Sequence, residues 1–266
     1  MRRSASFSTT AQILAWVTAL TTLTLAAVLG LRALKINPTR DFSPLILLVA
    51  YAPSITAIVI TRWFQGRPGL RTLFRSMGKR PVRASLYGLV IVVPWLLLIA
   101  AHLLFNALTT TPRPFLVDLP GLIAGMGAVI AGSLGEEFGW RGVAQPLLQK
   151  RYSVLVASVI VGILWATWHC WTVLAPGGTD GRWLLDVFLT YLRLIPTAIL
   201  YGWLYKVSKG SLLLVMLAHA SHNMAVNSLP VPEGSYGLAA SVAGLYSMLA
   251  IALIGFGGFR DDTQPG

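Results

Sequence analysis

Apolar runs of about twenty residues follow one another along most of the chain, separated by short connections that hold nearly all of its Lys and Arg. A helix rises about 1.5 Å per residue, so roughly 20 residues cross about 30 Å of hydrocarbon. Runs of that kind lie at about 11–31, 42–61, 84–108, 119–149, 153–174, 184–205, 211–229 and 237–258. The pattern predicts an all-α fold, a polytopic membrane bundle of about eight transmembrane helices. The opening Met1-Arg2-Arg3 precedes an apolar stretch from Ala11 to Leu31. That stretch exceeds the roughly 7 to 15 residues of a secretory signal core, so it reads as a first anchor helix.

Charge in the connections predicts orientation. With both termini on one side, fourteen Lys and Arg fall on that side, against Arg32, Lys35, Arg40, Arg113 and Arg182 on the other. The positive-inside rule then puts both termini in the cytoplasm. The segment 62–83 carries Arg67, Arg71 and Arg75 in i, i+4 register with Leu70, Leu73, Phe74 and Met77 between them. It reads as a solvated basic connection, the alternative being a short amphipathic helix on the anionic leaflet.

Composition agrees. The chain is 55% hydrophobic and 11% charged, outside the range of soluble domains. A net charge of +12 raises the question of nucleic acid, but the basic residues sit between apolar runs without an aromatic-lined groove, so no nucleic-acid partner is expected and membrane lipids are. Cys170 is the single cysteine, which excludes an intrachain disulfide and a cysteine-rich metal site. Arg outnumbers Lys 16 to 5, a usage common in GC-rich bacterial genomes.

Against this background, Gly135-Glu136-Glu137-Phe138-Gly139-Trp140-Arg141-Gly142 stands out, because the whole chain has nine acidic residues. An acid at mid-span costs about 2.5–3.5 kcal/mol while an aliphatic residue returns about 0.3–0.6, so two carboxylates offset roughly ten aliphatic residues. Such residues usually serve function. Glu137 and Arg141, at i and i+4, share a helix face in the favourable order, and Glu136 points about 100° away. Arg141 is therefore expected to hold Glu137 and leave Glu136 as a working carboxylate toward a cavity. The alternative is a Glu137–Arg141 pair that only locks helices. Gly135, Gly139 and Gly142 allow another backbone or a substrate to approach closely.

Two later spans carry imidazoles. Trp165 lies one turn before His169, where an aromatic can wall a pocket, although a histidine among tryptophans is often a core or interfacial residue. His219 and Asn223 project together at i, i+4, with His222 adjacent. Such donors can serve a developing oxyanion or a polar helix contact. Arg193, inside the sixth span and seven residues after Asp186, is expected to pair with that acid, or else to hold a substrate carboxylate. His102 reads as a satisfied interior residue, and Pro94 and Pro196 permit kinks.

Glu136-Glu137-x-x-x-Arg141, an aromatic-x-x-x-His at Trp165 to His169, and His-x-x-x-Asn at His219 to Asn223 occur in that order on successive spans. This set resembles the CPBP family, the CAAX endopeptidases and bacteriocin-processing intramembrane proteases, relatives of the type II prenyl-protein endopeptidase. The shared pattern covers about 119–227, and Trp165 stands where that family more often has phenylalanine. The resemblance implies a membrane segment 119–229 that carries catalysis, preceded by three spans with a basic cytoplasmic loop (1–118) and followed by a last helix and tail (230–266). It implies that Glu136 and His169 activate water, that His219 and Asn223 stabilise the oxyanion, and that Glu137, Arg141 and Trp165 support them. The substrate would be a membrane-associated protein or peptide, and the setting a bacterial inner membrane. A metal-free mechanism is favoured; in the alternative, Glu136, His169 and His219 supply three ligands of a catalytic zinc. The rival class is a proton-coupled transporter with the same Glu/His cluster as its relay.

Overall fold

Each apolar run becomes helix in a computed structural model of the chain, which describes residues 8–38, 41, 43–78, 83–110, 112, 119–178, 181–228 and 236–260. Arg2, Arg3, Arg40, Lys79, Arg80 and Arg113 of the charge count, the 229–230 junction and the tail beyond Arg260 lie outside the described residues. The helices are α1 Thr9–Ala33, α2 Pro44–Arg75, α3 Ala84–Leu108, α4 Leu119–Gly139, α5 Gln145–Leu148, α6 Val154–His169, α7 Trp171–Leu174, α8 Trp183–Val207, α9 Leu212–Ser228 and α10 Tyr236–Gly255. A π-helical turn, Trp140–Ala144, joins α4 to α5. Among the described residues, six stretches are long and apolar enough to cross a membrane: Thr9–Ala33, Pro44–Gly78, Ala84–Leu108, Val154–Leu174, Trp183–Val207 and Tyr236–Gly255. Outside that set lie the short α5 and two longer helices, α4 and the 17-residue α9, which carry the acidic pair and the His219/Asn223 pair.

Helix–helix contacts run α1 to α2, α2 to α4, α4 to α9, α9 to α3, α3 to α10, α10 to α8 and α8 to α6. α1 shows how one helix divides its faces: Gln12, Trp16, Leu20, Thr24, Ala27, Val28 and Leu31 form its buried stripe, while Leu14 and Leu29 are exposed. Large apolar side chains are likewise exposed on α3 (Leu103, Leu108), α8 (Phe188) and α10 (Met248, Ile251). So wide an apolar exterior is stable against acyl chains rather than water. One core unites Trp16, Val49, Trp140, Trp165, Leu194 and Val215, and a second joins Leu98, Ala225, Leu238 and Tyr246.

The basic segment after residue 62 is a correction. It is not an irregular connection but helix as far as Arg75, as in the alternative of a short basic helix, with Arg67, Arg71 and Arg75 exposed, followed by a 3-10 turn, Ser76–Gly78. Gly66 breaks the regular helix with φ 67°, a conformation glycine tolerates. Beyond it, Gly69 and Leu73 are buried, and Leu73 packs against Gly142, where an added Cβ would meet its Cδ1 at 2.6 Å. Packing therefore restores the helix that Gly66 and Pro68 interrupt.

Glycine also sets the seat of α4 on α2. A Cβ at Gly135 would lie 2.7 Å from the Ala50 carbonyl oxygen, and one at Gly139 would lie 2.7 Å from that of Pro53. Ser54 Oγ adds a hydrogen bond to the Leu134 carbonyl at 3.0 Å. Gly139→Ala is expected to force these backbones apart and destabilise the fold by about 1–3 kcal/mol, the usual range for overpacking. Thermal unfolding in detergent micelles checks this, with Gly244→Ala, which meets nothing within 4 Å, expected to leave the midpoint unchanged.

Candidate active site

The two carboxylates of α4 lie in different surroundings although they are adjacent in sequence. Glu137 is fully buried, and its two oxygens accept from Arg141 Nη1 at 3.1 and 3.2 Å. Its Oε1 also accepts from His219 Nδ1 at 2.8 Å. Arg141, itself buried, lies over the rings of Trp165 (4.9 Å) and Tyr201 (5.0 Å), positions in which aromatic faces attract a cation. The pair predicted from the i, i+4 spacing thus forms, and it reaches a second helix through His219.

Glu136 keeps 7% of its surface open. Its Oε2 accepts from Trp165 Nε1 at 2.6 Å and from Trp140 Nε1 at 3.3 Å. Both indoles use the same oxygen, so Oε1 is left without a hydrogen bond among the described residues. Indole N–H groups donate only, which suits them to hold a carboxylate without competing for a proton. Trp140 is in turn wedged edge-on between Trp16 (5.1 Å) and Trp168 (6.0 Å).

α6 and α9 supply the imidazoles. Trp165 connects three groups: it is hydrogen-bonded to Glu136, and its ring packs against His169 (5.9 Å) and His219 (5.3 Å). His169, partly buried at the end of α6, also packs against Trp168 (4.8 Å). No direct hydrogen bond joins His169 to Glu136; Trp165 links them. On α9, His219 is committed to Glu137 through Nδ1, which leaves Nε2 for other partners. Asn223 lies one turn further, partly buried, with its carbonyl accepting from Asn227 Nδ2 at 2.7 Å. His222 departs from this group: its Nδ1 lies 2.6 Å from Tyr246 Oη on α10.

Residues 118–225, which contain all of these motif residues, match the family described as Type II CAAX prenyl endopeptidase Rce1-like. A CAAX prenyl protease 2 of Methanococcus maripaludis is 27% identical over 106 residues, 37% of this chain and 38% of that relative. The similarity to the Rce1-like family is confined to this segment, less than half of the chain. The match spans well under half the length of the curated relative, and α1 to α3 lie before it.

Within the matched segment, among the described residues, no three His, Cys, Asp or Glu side chains gather as a metal-ligand set. Glu136, His169 and His219 are therefore not an assembled ligand triad. Three aromatic members escaped the sequence reading. Trp140 follows Glu136 at i+4, a spacing that could have marked it; Tyr201 and Tyr246 come from α8 and α10, and nothing in their local sequence signals the contact. The expected Asp186–Arg193 pair is absent, since Arg193 makes no ion pair among the described residues. Seven residues return a side chain to the same helix face but about 10 Å further along the axis, too far for this acid to reach.

Proposed function

We propose that the chain is an intramembrane endopeptidase that hydrolyses a peptide bond of a membrane-associated protein or peptide. The observation that carries this is the split between adjacent carboxylates: Glu137 is consumed by Arg141 and His219, while Glu136 is steadied by two indoles with one oxygen free. In the proposed reaction, Glu136 Oε1 takes a proton from a water that attacks the scissile carbonyl, and His169 helps to orient and activate that same water. The carbonyl oxygen becomes an oxyanion that accepts from Asn223 Nδ2 and, when the ring carries both protons, from His219 Nε2. Collapse breaks the C–N bond, and the proton held at Glu136 passes to the leaving amine. The relative's name points to prenylated C-termini as the substrate class. An apolar cavity of about 180 Å³, lined by residues including Leu97, Leu200, Tyr201 and Tyr246, offers an apolar chain a place beside this site.

Orientation belongs to the same proposal. Lys206 Nζ donates to the Arg260 carbonyl at 2.5 Å at one end of the bundle, and Arg32 Nη1 to the Leu174 carbonyl at 2.8 Å at another. The Lys206 end faces the cytoplasm of a bacterial cell by the charge rule.

The test compares membrane peptides from cells bearing wild-type protein or Glu136→Gln by mass spectrometry. Purified protein is then assayed on a farnesylated peptide ending in a CAAX sequence, with and without chelator. A product made by the wild type and missing from the variant supports hydrolysis at this site; proton-linked uptake into proteoliposomes that fails in the same variant would support a transporter instead. Chelator inhibition reversed by zinc would require a metal step. His219→Ala and Asn223→Ala are each expected to lower kcat by about 10²–10³-fold, the usual loss of an oxyanion donor, as measured on whichever product is found.

A further inference from the structure

Arg193 is a cation that the proposed reaction leaves unused. It lies ten residues into α8, about 15 Å from the start of the helix, where a guanidinium cannot easily reach the headgroups. It is partly buried, and among the described residues its guanidinium has no hydrogen bond and no ion pair. α8 is tied to α6 two residues earlier by the 2.7 Å contact between Tyr191 Oη and Thr167 Oγ1, and Thr167 is itself two residues before His169. Two residues turn about 200° around a helix, so Arg193 faces away from that contact, and it lies within electrostatic reach of His169, His222 and Tyr246. The His222–Tyr246 pair, mutually hydrogen-bonded at 2.6 Å with rings edge to face, offers polar edges but no anion.

A cation at mid-span is expensive unless something neutralises it, and among the described residues no anion does. The acid on its own helix does not. In a peptide-hydrolysing site the available anion is a carboxylate of the substrate, and the planar guanidinium fork matches that group in two parallel hydrogen bonds. We propose that Arg193 binds a carboxylate of the substrate close to the scissile bond, either the free C-terminal carboxylate or an Asp or Glu side chain. This rests on the endopeptidase reading above and adds a substrate requirement to it. Arg193 is a binding residue here and takes no part in proton transfer.

The experiment uses full-length protein in detergent micelles and mixed-sequence, N-terminally palmitoylated, fluorescent nonapeptides. One set lacks Asp and Glu and ends in a free carboxylate, the same set is made with a C-terminal carboxamide, and a third is amidated but contains Asp. Binding is read by anisotropy and cleavage by chromatography. Wild-type protein is expected to bind one carboxylate-bearing set at least tenfold more tightly than the neutral set, which identifies the source of the carboxylate. Arg193→Gln is expected to erase that preference, to raise KM for the acidic set about tenfold or more, and to change the neutral set less than twofold; Arg193→Lys should restore part of it. Equal binding of acidic and neutral peptides by the wild type overturns the assignment without any variant. Equal losses on all sets in Arg193→Gln also overturn it, because a packing role would act so. Preference in binding without cleavage of any peptide upholds Arg193 and counts against hydrolysis.

Discussion

Glu136→Gln is expected to lower cleavage by about 10³-fold or more while leaving the protein folded. Removing a general base alone accounts for about 10²–10⁴ in rate. Loss of stability is not expected, because the atom that Trp165 and Trp140 bind is an acceptor oxygen, and the glutamine carbonyl oxygen can take its place in nearly the same volume. The new amide then occupies the position of Oε1, where it donates to a water and cannot remove its proton. Measuring kcat beside the thermal midpoint separates the two effects. Retention of more than a tenth of wild-type kcat would assign the base elsewhere. Trp165→Phe probes the same carboxylate from outside: it keeps the ring against His169 and His219 but removes the shortest hydrogen bond to Glu136, so a loss smaller than that of Glu136→Gln is expected.

Helix existence was legible because a membrane imposes one rule on all eight runs: backbone groups must be satisfied within the segment. The Glu137–Arg141 pair was legible too, since both partners sit on one helix and the helical repeat alone brings them together. What lay beyond reach depends on how helices are offset against each other. Trp165 meets Glu136, and His219 meets Glu137, only because Gly139 and Gly135 let α4 settle on α2 and the π-helical turn at Trp140–Ala144 redirects the chain toward α6. Such turns accompany functional sites, but no local composition announced this one. The helix beyond Gly66 depends on packing in the same way. Its glycine and proline favour a break, and burial of Leu73 against Gly142 outweighs them. Arg193 shows the limit of same-face arguments, which locate a residue around the helix and ignore its height.

Glu137→Gln and Arg141→Met are each expected to destabilise the protein by about 3–5 kcal/mol, whereas the two together should lie near the wild type. Both side chains are wholly buried, so removing either charge strands the other in a medium that cannot solvate it, and that unpaired charge accounts for the loss. Removing both leaves no stranded charge. The amide carbonyl that Glu137→Gln introduces still accepts from His219 Nδ1, and a methionine fits between Trp165 and Tyr201, where sulfur against aromatic rings is favourable. Activity should not follow stability. In the proposed reaction, the carboxylate that Glu137 presents to His219 at 2.8 Å orients the ring that serves the oxyanion, and an amide holds that ring less firmly. The double variant is therefore expected to recover its unfolding midpoint and remain at least about 10²-fold slower than wild type, as the loss of an oxyanion donor predicts. A thermodynamic cycle over the four proteins measures the coupling directly. Additive single effects would mean that Glu137 and Arg141 act independently, and full recovery of kcat in the double variant would reduce the pair to a helix clamp with no part in positioning His219.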